Sequence, residues 1–88
     1  ELGALKHRES YYLQVGAFIA LAGAEKQLKD VKLAVPEGVP VRILTSEIKT
    51  GMLYKVWIGP LGDPEEESVV ALRIRDRNLG KALRVTVE

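Results

Sequence analysis

The segment Leu53-Tyr54-Lys55-Val56-Trp57-Ile58-Gly59-Pro60-Leu61 alternates with a period of two, a pattern that a strand with one buried side satisfies and a helix does not. Tyr54, Val56 and Ile58 share one side, and Leu53, Lys55 and Trp57 share the other. The chain's one tryptophan therefore stands beside a cation on the wetter side. A large exposed aromatic costs solubility, so its position points to a surface that touches something. The competing expectation is that a helix or a terminal segment covers Trp57, as large aromatics are highly buried on average.

The other elements arrange themselves around this strand. Residues 1–10 read as a polar linker, and the domain occupies 11–88. In Tyr11-Tyr12-Leu13-Gln14-Val15-Gly16-Ala17-Phe18 the alternation puts Leu13, Val15 and Ala17 on one side of a first strand, with Tyr12, Gln14 and Gly16 on the other. Gly16 removes a side chain at mid-strand, which marks either a close approach by a backbone or ligand, or a bulge. From Ile19 to about Ala34 the period becomes helical, with Leu21, Ala24, Leu28 and Val31 as the buried stripe and no side-chain cap at the start. Pro36, Gly38 and Pro40 end that helix.

Val39, Val41 and Ile43 open a second strand that continues toward Ile48, and a hairpin around Lys49-Thr50-Gly51 returns the chain into the Trp57 strand. Gly59-Pro60 stops it. Asp63 and Pro64 then begin a second helix, whose Glu65, Glu66 and Glu67 complement the positive end of the helix dipole rather than hold a metal. Its expected buried face is Val69, Val70, Leu72 and Ile74, and Gly80 is the expected left-handed residue beyond its end. In the last strand Leu83, Val85 and Val87 face the core, and Arg84 and Thr86 face away.

The order is β-α-β-β-α-β. Two amphipathic helices and four strands with one buried face each pack most economically as an α+β, ferredoxin-like (RNP-like) domain, a four-stranded antiparallel sheet with both helices on one face. The other face is left open, carrying Tyr12, Gln14, Arg42, Leu44, Ser46, Lys55, Trp57, Arg84 and Thr86.

Composition narrows what that face serves. Thirteen basic and twelve acidic residues leave a net charge of +1, too little to signal a nucleic-acid binder by bulk attraction. There is no cysteine, which removes disulfides and thiolate metal sites, and the one histidine, His7, lies in the polar leader and reads as a solvated residue. Neither a metal nor another cofactor is expected. Ser10, Ser46 and Ser68 have no evident His/Asp partners, so no catalytic role is expected either. No signal peptide is visible, and Glu1 in place of an initiating methionine predicts a piece of a longer protein.

The stretches Tyr12-Leu13-Gln14-Val15-Gly16-Ala17-Phe18 and Gly51-Met52-Leu53-Tyr54-Lys55-Val56-Trp57-Ile58-Gly59-Pro60-Leu61 together resemble the two signatures of SPOR (sporulation-related repeat) domains. The resemblance extends over nearly the whole chain. It implies a non-catalytic peptidoglycan-binding module of the bacterial envelope that recognises denuded glycan strands, those lacking stem peptides, at the division septum in the periplasm. Within the family the pattern is similar to the C-terminal module of the rare lipoprotein A group of lipoprotein septal lytic transglycosylases. By position, the family's glycan-contacting glutamine matches Gln14. Its first-strand surface continues to Ala17, where relatives often have a serine. Third-strand aromatic contacts fall at Leu53 or Trp57, and with leucine at 53 the stacking passes to Trp57. Ile19-Ala20-Leu21 departs from the usually polar segment after the first strand.

The residues expected to meet glycan are Tyr12, Gln14, Gly16, Ala17, Arg42, Ser46, Lys55, Trp57, Arg84 and Thr86. A sugar ring offers a flat patch of C–H groups to an indole, and its hydroxyl and acetamido groups need donors and acceptors nearby. Glycan freed of stem peptides also exposes a lactyl carboxylate, which Lys55, Arg42 or Arg84 would pair through charge-assisted hydrogen bonds. The expected state is a monomer without membrane contact of its own. Two other readings use the same face. RNA-recognition modules share the fold, but Tyr54-Lys55-Val56-Trp57-Ile58-Gly59 lacks their third-strand signature; a protein-docking module rests on the exposed aromatic alone.

Overall fold

The computed structural model describes the backbone of residues 10–62 and 64–87 and the side chains of 11–62 and 64–85. Strand β1 (Ser10–Phe18), helix α1 (Leu21–Ala34), strands β2 (Val41–Ile48) and β3 (Gly51–Leu61), helix α2 (Pro64–Asp76) and strand β4 (Leu83–Val87) follow in that order. The strands form one antiparallel sheet in the order β2-β3-β1-β4. The expected β-α-β-β-α-β, ferredoxin-like architecture is the one observed. The leader up to residue 9, with His7, and the expected helix cap at Asp63 lie outside the described residues.

Leu13 and Val15 of β1, Val41 of β2, and Val56, Ile58 and Leu61 of β3 pack with Ala24, Val31 and Ala34 of α1 and Val70 and Ile74 of α2 in one cluster. Both helices meet the same set of strand residues, so both cover the same side of the sheet. Full burial of an aliphatic side chain of this size stabilises by about 1.5–3 kcal/mol relative to exposure. Ile58, Ile74, Val31, Val56 and Val70 are the largest that reach it. Among the described residues no helix is long and apolar enough to cross a membrane.

Local departures from the expected pattern have identifiable causes. Ala20 is extended and makes no side-chain cap bond, so α1 starts at Leu21, two residues after the expected Ile19, and Leu21 itself is exposed. In α2 only Val70 and Ile74 of the expected face are buried; Val69 and Leu72 turn outward, because four-residue spacing puts 70 and 74 together over the sheet. Glu66 Oε1 accepts a hydrogen bond from the Gly62 N–H at 2.9 Å, satisfying a donor ahead of the helix. Gly80 has the expected positive φ (120°), but the residue that closes α2 is Asn78 (φ 57°). Its N–H bonds the Arg75 carbonyl at 3.0 Å and the Leu79 N–H bonds that of Ile74 at 3.0 Å, a Schellman closure that drops Leu79 against the core.

Strand faces depart at two places. The pairing Gln14↔Trp57 is followed by Gly16↔Val56, so β1 carries an extra residue at Val15. The bulge inverts the alternation beyond it. Ala17, expected in the core, is exposed opposite Lys55, and Gly16, expected on the open side, pairs with buried Val56 and faces α1. β4 is reversed over its described side chains, Leu83 to Val85. Arg84 pairs with core residue Leu13, whereas Leu83 pairs with Gln14 and Val85 with Tyr12. Leu83 and Val85 therefore share the face of Tyr12 and Gln14, contrary to expectation. Gly59-Pro60 does not end β3, which continues to a pairing of Leu61 with Tyr11.

Candidate functional site

The side of the sheet away from the helices presents a row that crosses all four strands in register, Arg42 of β2, Trp57 of β3, Gln14 of β1 and Leu83 of β4. The indole Nε1 of Trp57 donates a hydrogen bond to Gln14 Oε1 at 2.8 Å. The Tyr12 ring lies against the same indole, with centroids 5.1 Å apart and planes tilted by 45°, within the range in which aromatic pairs attract. Lys55 Nζ lies 5.4 Å from the Trp57 ring centroid, a cation–π distance. Trp57 is half-buried among these neighbours.

Backbone features set this geometry. Gly59, at φ 134°, lies under Tyr12, where a Cβ would stand 2.9 Å from the Tyr11 carbonyl oxygen and 3.1 Å from Tyr12 Cδ2. Any other residue would strain the backbone there and crowd the tyrosine ring. The β1 bulge brings Ala17 to the open side opposite Lys55, so a second row reads Leu44, Lys55, Ala17, and a third pairs Ser46 with Leu53. Tyr12, Gln14, Ala17, Arg42, Ser46, Lys55 and Trp57 thus occupy one surface.

Two expected residues do not join it, and the side chain of a third, Thr86, lies outside the described ones. Gly16 faces α1, where a Cβ would collide with Gln27 Oε1. Arg84 extends to the helix side. There its Nε and Nη2 bond the two carboxylate oxygens of Glu67 at 2.7 and 2.6 Å, and its guanidinium lies 5.1 Å from the Tyr11 ring centroid. The Glu67 hydrogen bond and charge raise the Arg84 pKa above its ordinary value. Thr86 stands at the register position opposite Tyr11, in line with Arg84's pairing rather than that of Gln14. The physical reason is the edge position of β4. Its alternation has one polar and one apolar side, and α2, which carries a carboxylate toward the edge at Glu67, draws the arginine side inward. Leu83 and Val85 take the open side in exchange, an apolar border that strand alternation alone assigned to the core.

The surface combines an aromatic plate, a side-chain amide, the Tyr12 and Ser46 hydroxyls and two cations. Among the described residues neither Arg42 nor Lys55 is in an ion pair with a carboxylate. Among the described residues no serine on this face lies beside an acid–base pair, and the acidic run of α2 serves the helix end and Arg84. The chemistry on offer is recognition of a flat polar ligand, with no group arranged to break a bond.

The family model for the SPOR domain matches residues 8–85. The crystal structure of the RlpA SPOR domain from Pseudomonas aeruginosa is similar to this chain with a TM-score of 0.80 and 33% sequence identity, over 85% of this chain and 96% of that one. No curated protein sequence matches. With the family pattern running from the end of the leader through β4, and a fold shared with an experimentally determined member, the chain belongs to the SPOR domain family and is a non-catalytic peptidoglycan-binding module of the bacterial cell envelope.

Proposed function

We propose that the bare side of the sheet binds glycan strands that have lost their stem peptides, and that this preference directs the parent protein to the division septum in the periplasm. The observation that carries the reading is the bonded pair Trp57–Gln14 at the centre of a row that reaches from Arg42 to Leu83. The indole and Tyr12 supply an apolar plate for the C–H face of a sugar, and the amide is held beside it to meet polar substituents. Arg42 and Lys55 flank the plate from β2 and β3 with no carboxylate of the described chain claiming them. Each lactyl group freed by loss of a stem peptide supplies one. Peptide-bearing strands have that carboxylate in an amide bond, so charge pairing favours the stripped strand. Arg84, held by Glu67 on the other side, takes no part.

The test is retention on amidase-treated sacculi, compared with untreated sacculi and single-stranded RNA, at low and high salt. Stronger retention on treated sacculi that weakens as salt rises supports the reading. Equal retention on both sacculi removes the preference for denuded strands, and stronger retention on RNA replaces glycan by nucleic acid. The bound species is expected to be a monomer by light scattering.

A further inference from the structure

We propose that Gln27, on α1 and on the far side of the sheet from the ligand, is a positioning residue for the glycan-binding face. The inference rests on the reading of that face given above. Gln27 Nε2 donates two hydrogen bonds, to the carbonyl of Val15 at 3.1 Å and to that of Leu79 at 2.8 Å. Two acceptors fix the orientation of the amide, because only the nitrogen has hydrogens to give. Its Oε1 is buried without a hydrogen-bond partner. An unpaired buried acceptor is costly, so an apolar side chain of similar shape would suit the packing better. What the amide adds is the pair of donors.

Both targets control the opposite face. Val15 is the extra residue of the β1 bulge, and the bulge brings Ala17 to the open side, opposite Lys55 and three residues from Gln14 instead of two. Leu79 leads through Gly80 into β4, which places Leu83 beside Gln14. Two glycines make room for this clamp. A Cβ at Gly16 would collide with Gln27 Oε1, and one at Gly80, at φ 120°, would stand 2.7 Å from the Val15 carbonyl oxygen and 3.4 Å from Gln27 Nε2. A single amide thus ties the bulge to the approach of β4, the two segments that flank Gln14 on the ligand side.

Gln27→Leu deletes both donors at similar volume, and Val31→Ala truncates a core residue of the same helix as a control for lost stability. Both are compared with the unsubstituted domain well below their unfolding temperatures, by titration with a denuded glycan and by the NMR resonances of the Ala17 amide and the Trp57 indole N–H. Gln27→Leu is expected to lose roughly tenfold or more in affinity through misplacement of the contacting groups, and to shift both resonances. Val31→Ala is expected to keep affinity and resonances despite a lower unfolding temperature. A Gln27→Leu domain with unchanged resonances and affinity overturns the proposal, as does an equal loss in Val31→Ala. Gly16→Ala, which crowds the amide instead of deleting it, replaces Gln27→Leu if that variant does not fold, with the same two outcomes. Failure of the unsubstituted domain to bind glycan overturns the proposed function instead, and the resonances still decide the role of Gln27.

Discussion

Two cation–aromatic pairs stand on opposite sides of this sheet, Lys55 with Trp57 and Arg84 with Tyr11, at 5.4 and 5.1 Å. In sequence they look alike, each a basic residue on an alternating strand. In space they differ in what else claims the cation. Arg84 is gripped at two of its guanidinium nitrogens by Glu67, whereas Lys55 touches no carboxylate among the described residues and has Arg42, on neighbouring β2, as its cationic companion. The aromatic partners differ likewise, for Trp57 bonds a side-chain amide on the neighbouring strand. The difference teaches that a strand cation next to an aromatic marks a binding surface only when its charge is unspent.

Substitutions sharpen this contrast in descending order of effect. Trp57→Ala removes the plate and releases Gln14, and is expected to lower affinity for denuded glycan by roughly tenfold or more while circular dichroism remains that of the folded domain. Unchanged retention in the double variant Trp57→Ala/Gln14→Ala would reject the open-face site altogether. Lys55→Ala and Arg42→Ala are expected to cost a few-fold each, about 0.5–1 kcal/mol for exposed charge pairing, and to flatten the salt dependence when combined; a double variant with the original salt slope assigns the charge sensitivity elsewhere. Arg84→Ala is expected to leave affinity unchanged and lower the unfolding temperature slightly. Glycan binding lost in that variant would erase the distinction between the two pairs. Because Glu67 raises the Arg84 pKa, the arginine's share of stability is full below the pKa of the unfolded chain and is lost as pH rises through the higher folded value. Its contribution is therefore flat through neutral pH.

Much of this architecture is legible in the sequence, since it depends on local periodicity. The β3 alternation assigned Val56 and Ile58 to the core and Lys55 and Trp57 to the open face, and the hairpin closes at Ile48↔Gly51 as expected. The errors arise where parity depends on a partner. One inserted residue at Val15 exchanges the faces of Gly16 and Ala17; Gly16 marks a close approach or a bulge in the sequence, and the structure has the bulge beside it and Gln27 against it, but the glycine alone does not fix the parity beyond it. On β4 both registers satisfy alternation, and Glu67, seventeen residues upstream of Arg84, decides between them. The same holds after α2, where both Asn78 and Gly80 adopt positive φ but only Asn78 completes the helix end. Tertiary partners choose between locally equivalent patterns, and periodicity cannot rank those.

The bond between the indole and the Gln14 amide settles more than orientation. The carbonyl oxygen of that amide already accepts the indole N–H, and its Nε2 has no protein partner among the described residues, so both amide hydrogens are open to a visitor. Together with the N–H-bearing heads of Arg42 and Lys55, the centre of the surface is a set of donors awaiting oxygens. On the proposed reading a sugar chain rich in acetyl carbonyls and free carboxylates matches that set, whereas an ammonium-bearing ligand of the same shape, such as a deacetylated strand, is expected to meet the like charges of Arg42 and Lys55.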